Sequence, residues 1–128
     1  MCIRDRYLNL EESKDIVISN FPFPIQKRIE LARALALEPK LLILDEPAGG
    51  LNIIETKELS IMIKKIQRDF HITILLVEHD MSMVMNISDR ICVLDHGEKI
   101  AEGKPEEIQN NAKVIEVYLG KEEIDVRA

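Results

Sequence analysis

Two short, wholly apolar runs break an otherwise helical rhythm. The first is Leu41-Leu42-Ile43-Leu44, which ends in Asp45-Glu46-Pro47. The second is Ile72-Thr73-Ile74-Leu75-Leu76-Val77, rich in β-branched residues. Apolar runs of this length predict strands buried on both faces, as in a parallel sheet. Between them, Leu59, Met62, Ile63, Ile66 and Phe70 recur at helical spacing. Asn52 can cap that helix, with Glu55 in the capping-box position. Strand, helix and strand make a βαβ unit, so the strands are expected to be parallel with a right-handed crossover. Both then end on one sheet edge. Asp45 and Glu46 would share that edge with Glu78-His79-Asp80. Open α/β sheets bind ligands there.

The remaining pattern surrounds this unit. Phe21 to Arg28 opens a helix with Pro24 at a first helical position, where the missing N–H costs nothing. Ile25, Ile29, Ala32 and Ala36 mark its apolar stripe, widened by Leu31 and Leu35. Glu38-Pro39 ends it, because a residue before proline leaves the helical region. Ala48 to Asn52 is a glycine-bearing loop. Met81 to Ser88 predicts a short helix with Met81, Val84 and Met85 in the core. Ile91–Leu94 and Lys99–Glu102 flank Asp95-His96-Gly97-Glu98, a hairpin signal in which His96 is a turn residue. Pro105-Glu106-Glu107 starts another helix. Val114 to Leu119 predicts a last one, closed by Gly120, before a charged tail over 121–128.

Composition narrows the function classes. The 128 residues are 46% hydrophobic and 31% charged, as in an ordinary globular domain. A formal net charge of −6 argues against nucleic acid as a partner, since backbone binding needs a basic face. Lys57, Lys64, Lys65 and Arg68 read as a solvated helix face. Cys2 and Cys92 make neither a disulfide framework nor a metal site, which fits a reducing cytoplasm. No apolar run approaches the roughly 20 residues that span a bilayer.

The chemistry therefore rests on the two strand ends. An acid pair after a buried strand can organise Mg²⁺ and the water that attacks a phosphate. The plainer alternatives are a buried strand ending in a polar turn, and a histidine that caps the next helix. The opening Met1-Cys2-Ile3-Arg4-Asp5-Arg6 fits neither pattern. It resembles the translated read-through of a transposase adapter, so residues 1–6 are expected to be non-biological. Tyr7 to Asn20 is mixed, a short helix or turn followed by a loop.

Read together, the motifs carry a resemblance. The stretch R-I-E-L-A-R-A-L-A-L-E-P-K-L-L-I-L-D-E-P-A-G-G-L-N, Arg28 to Asn52, closely resembles the core of ATP-binding cassette ATPases. Thr73 to Asp80 is similar to their switch-histidine strand, and Asp95 to Ile108 to the hairpin and helix beyond it. The likeness spans about Leu8 to Gly120. It is nearest to the ATPase subunits of branched-chain amino acid importers, which share the V-E-H-D segment and a V-I-x-x-Y-L-G ending.

The resemblance implies an α/β fold, the C-terminal half of a P-loop NTPase domain. Residues 7–23 would end the helical subdomain, and 24–120 would form the C-terminal part of the ATPase domain. It implies ATP and Mg²⁺ as ligands. Asp45 would hold Mg²⁺ through water, Glu46 would orient the attacking water, and His79 would contact the γ-phosphate. Phe21, Pro22, Phe23, Pro24, Ile25 and Gln26 occupy the signature place that closes over ATP bound by the other subunit. Ala48, Gly49, Gly50, Leu51 and Asn52 would be the dimer-interface loop. The implied partners are a second ATPase subunit in a head-to-tail dimer, membrane permease subunits and, indirectly, a substrate-binding protein. The implied location is the cytoplasmic face of the membrane.

Two features depart from the family pattern. No G-x-x-x-x-G-K-[ST] phosphate loop occurs among the 128 residues, so the chain is expected to be a truncated fragment, inactive alone. Pro24 stands where the family expects glycine, and proline has no N–H to offer a phosphate. Two alternatives stay open: the ATPase of another cassette system, such as lipopolysaccharide export, and a non-catalytic module that pairs with an intact ATPase.

Overall fold

A computed structural model describes Leu8 and residues 16–119. The expectations for residues 1–7 and 9–15, for Gly120 as a cap and for the tail lie outside the described residues. The chain divides into two compact units, Met1–Asp80 and Met81–Ala128.

In the first unit, a 3₁₀ turn at Ile18–Asn20 leads into α1, Phe23–Ala36. Pro22 is its N-cap and Pro24 its second residue, one place later than the sequence suggests. Both prolines suit a helix start, since the first amides have no intrahelical acceptor. The buried stripe is Leu31, Ala32 and Leu35. Ile25 and Ile29 are half-buried and Ala36 is exposed, so the leucines, not the expected Ala36, centre the face. The helix stops where Glu38, at φ 52°, turns the chain before Pro39.

Strand β1, Leu41–Asp45, pairs in parallel with β2, Thr73–Val77. Helix α2, Ile53–Phe70, connects them. Its start is the expected capping box: Asn52 Oδ1 accepts from the Ile54 and Glu55 amides, and Glu55 Oε2 accepts from the Asn52 amide at 2.8 Å. Leu59, Ile63 and Ile66 are buried at helical spacing, with Met62 and Phe70 half-buried beside them. The helix ends in the left-handed His71, φ 53°.

One expectation fails here. β1 is not buried on both faces. Leu42 and Leu44 are buried, but Leu41 and Ile43 are 51% and 60% exposed. On β2, Leu75 and Val77 are 52% and 49% exposed. Side chains alternate across a strand, and these four stand on its second face. Register sets Ile43 opposite Leu75. No described residue of this unit covers them fully. Completing the burial of each half-exposed side chain would gain roughly 1 kcal/mol, so the strip favours association.

The second unit contains α3, Met81–Ile87, then the antiparallel pair β3, Ile91–Asp95, and β4, Glu98–Gly103. His96 and Gly97 make a two-residue turn with φ of 47° and 82°. Two left-handed residues give the turn whose twist matches a hairpin, which explains the glycine and confirms His96 as a turn residue. Ile91, Val93, Ile108 and Val114 form the core of this unit, flanked by Met81, Val84, Met85 and Tyr118. Met83, which the sequence reading passed over, is the buried residue of α3.

Helix α4 is Pro105–Gln109 and α5 is Ala112–Val114, followed by a π-helical turn at Ile115–Leu119. The last helix thus begins at Ala112, not Val114, because Asn111 caps it from Lys113 and Val114. The Tyr118 hydroxyl donates to the Leu94 carbonyl, tying this turn to β3. On the exposed side of the hairpin, Lys99 and Arg90 flank the Glu102 carboxylate at 2.7 and 2.8 Å. Their hydrogen bonds and charge lower the Glu102 pKa, and Glu102 raises that of Lys99. The Glu102 share of hairpin stability is therefore present above the ordinary glutamate pKa and is lost as pH falls through the depressed value. Among the described residues, no helix is long and apolar enough to cross a membrane.

Replacing both Ile43 and Leu75 with Thr should leave the circular dichroism spectrum unchanged and weaken self-association of the 128-residue chain. Sedimentation velocity over a concentration series checks this. Undiminished association would place its source elsewhere.

Candidate functional site

Strand pairing builds the site. Asp45 and Val77 face each other at the carboxyl ends of β1 and β2, so the next residues of both strands leave the sheet side by side. The Glu46 amide donates to the Val77 carbonyl at 2.8 Å. Glu46 itself is left-handed, with φ 45°, unusual for a residue with a Cβ. From there the chain makes two linked turns: Gly49 N–H to Glu46 O at 3.0 Å, and Leu51 N–H to Ala48 O at 3.0 Å.

Across the strand ends, His79 Nδ1 stands 3.4 Å from Glu46 Oε1. That exceeds the usual hydrogen-bond range of about 2.7–3.2 Å. Both side chains are open to solvent, 74% and 58% exposed, so the pair contributes little to stability. An exposed carboxylate and an exposed imidazole held loosely at a sheet edge are free to engage a ligand. Asp45 is also exposed, on the face of β1 that carries Leu41 and Ile43. The structure thus brings Asp45, Glu46 and His79 to one edge, as the strand pattern predicts.

Glu78 is the residue that sequence reasoning left without a role. Its Oε1 accepts from the Ala48 amide at 2.8 Å, and its Oε2 from the His79 amide at 3.2 Å. The carboxylate straps the loop after Glu46 to the segment carrying His79. Its adjacency to His79 was the available signal, but a donor thirty residues away in sequence cannot be read from a motif.

The Phe21–Gln26 segment and the Ala48–Asn52 loop also meet. Gly50 has φ 80°, and a Cβ there would lie 2.9 Å from Phe23 Cε1. The Lys27 ammonium sits 5.2 Å from the centre of the same ring. Gln26 Nε2 donates back to the Phe21 carbonyl at 2.8 Å. The Ile25 and Gln26 amides turn onto the Pro22 carbonyl, and Pro22 and Pro24 have no N–H. Among the described residues, no hydrogen bond or ion pair joins Phe21–Gln26 to Glu46 or His79. The cleft lined by Pro24, Lys27, Arg28, Leu51, Glu55 and Glu58 measures about 10 Å³. That is space for about one water, not a nucleotide.

Asp45 and Glu46 are oxygen donors, which suit Mg²⁺. Among the described residues, no three acidic, histidine or cysteine side chains converge as a metal cage.

The geometry coincides with a sequence match. LivG, the high-affinity branched-chain amino acid transport ATP-binding protein of Salmonella typhimurium, is 48% identical over 114 residues, 89% of this chain and 45% of the relative. Over nearly nine-tenths of its length the chain is similar to ATP-binding cassette ATPase subunits. The Pseudomonas aeruginosa relative BraF is 43% identical over the same length. A family profile described as "Branched-chain amino acid ATP-binding cassette transporter" matches residues 98–124. Among solved structures, an ATP-binding cassette of an ABC transporter in its ADP conformation aligns with a TM-score of 0.82 at 27% identity, covering 91% of this chain and 47% of that one. The cbiO1 protein of Clostridium perfringens, part of the ABC transporter complex cbiONQ, gives 0.79 at 32% identity, covering 88% and 45%. The fold is therefore the mixed α/β fold of cassette ATPase domains. The chain spans about half the length of the curated relatives it matches.

Gly50→Ala should destabilise the chain by on the order of 1–2 kcal/mol, from left-handed strain and the clash with Phe23. Chemical denaturation of G50A, and of G50A with Phe23→Ala, measures it. The double variant should recover only the steric part. Wild-type stability in G50A would mean that the loop does not hold this conformation.

Proposed function

We propose that this chain carries the hydrolytic edge of an ATP-hydrolysing subunit that energises import of branched-chain amino acids. The observation that supports it most is the Glu46–His79 pair at the carboxyl edge of the parallel strands. The likeness to LivG and BraF supports the substrate class.

In this reading, Glu46 accepts a hydrogen bond from the attacking water and takes up part of its proton's charge. Its exposure leaves the carboxylate free for that water. His79 donates toward the terminal phosphate from the neighbouring strand end. Asp45 would hold the cation. Mg²⁺, when present, neutralises charge that develops on the phosphates. The backbone amides and lysine of a phosphate loop are supplied from outside these 128 residues. Phe21–Gln26 and Gly49–Asn52 face a second ATPase subunit, and membrane permease subunits receive the work, with a substrate-binding protein upstream.

The test uses the full-length protein, assembled with its membrane subunits in vesicles. Glu46→Gln should lower phosphate release by about 10²-fold or more while leaving ATP binding intact. ATP-driven uptake of labelled leucine should vanish with it. Unchanged turnover would remove Glu46 from the reaction. Robust turnover that never drives leucine uptake would remove the substrate assignment alone.

Pro24→Gly restores the N–H that the signature lacks. It should raise turnover in the same assembly. An unchanged rate would show that this amide is not used.

A further inference from the structure

We infer that Glu78 is a positioning residue for hydrolysis, acting by fixing the backbone that aims Glu46. The inference rests on the proposed role of Glu46.

Glu46 is left-handed, a conformation that a residue with a Cβ holds only when its surroundings impose it. Three backbone bonds act near it: Glu46 N–H to Val77, Gly49 N–H to Glu46, and Leu51 N–H to Ala48. The first belongs to the strand pair, and the other two are internal to the loop. Neither internal bond stops the loop from swinging as a body. The Glu78 carboxylate does, because it reaches from the end of β2 and takes the Ala48 amide at 2.8 Å. Ala48 is largely buried, so its N–H has little access to water in place of this acceptor. An ionised acceptor makes this bond stronger than a neutral one would. The second oxygen takes the His79 amide, so one side chain holds the backbone on both sides of the Glu46–His79 gap. Both Glu78 oxygens are thus taken up by backbone amides. Glu78 sets where the two side chains that touch substrate can reach.

Two variants separate positioning from mere structure. Glutamine keeps one carbonyl oxygen that can still accept from Ala48, whereas alanine keeps none. In the full-length assembly, Glu78→Ala should lower kcat by tenfold or more with KM for ATP within twofold, and Glu78→Gln should retain most of the turnover. In the 128-residue chain, E78A should speed hydrogen exchange at the Ala48 amide by at least tenfold, and E78Q by much less. Full turnover in E78A, with E46Q inactive, would overturn the inference and leave the role of Glu46 standing. Equal loss of kcat in E78A and E78Q, accompanied by a lowered melting temperature, would also overturn it, because the role would then be structural. An active E46Q would instead remove the functional reading, and exchange at Ala48 would still decide whether Glu78 holds the loop.

Discussion

The site depends on a single pairing, the parallel register that sets Asp45 opposite Val77. Parallel strands joined through a helix must end on the same edge, so everything that follows each strand is delivered together. Glu46 comes from one side, Glu78 and His79 from the other. A slip of one residue would send the alternate set of side chains to each face and separate Glu46 from the histidine. The burial of Leu42 and Leu44 on one face fixes that register. Here the hydrophobic pattern and the geometry of the candidate site are the same constraint.

Around that edge the chain combines rigid and loose parts. Backbone groups and the Glu78 carboxylate hold the loop from Glu46 to Leu51 at both ends of its turns. The Asn52 capping box then passes the loop into α2 without a slack residue. The side chains of Glu46 and His79, by contrast, are exposed and only loosely paired. A fixed backbone with unencumbered functional atoms is a useful arrangement for a group that must meet a ligand at a set place. The Phe21–Gln26 segment is built differently. Its prolines remove amides, its remaining first-turn amides point inward, and its aromatic ring lies on Gly50. It offers an aromatic ring, with the Lys27 ammonium over it, where the family pattern would offer a backbone donor.

Much of this was legible in order along the chain. The two apolar runs, the Asn52–Glu55 box, the His96-Gly97 turn and the convergence of Asp45, Glu46 and His79 all follow from local periodicity and turn chemistry. The errors have one origin. Both-face burial of β1, the Ala36 edge of α1 and the oversight of Met83 each depended on what packs against an element, and periodicity does not say which neighbour is there. The start of the last helix moved because the Asn111 side chain competed for its first amides.

The sequence by itself determined the βαβ order, the edge at which its acids and histidine emerge, and the loss of amides at Pro22 and Pro24. Those properties are written into periods of two and 3.6 residues and into the covalent form of proline. Only the tertiary structure decided that Glu46 takes a left-handed backbone, that Glu78 reaches Ala48 and that Phe23 lies on Gly50. Each is a contact between residues about thirty positions apart or a strain that such contacts sustain. Its energy comes from partners that meet only once the strands have paired.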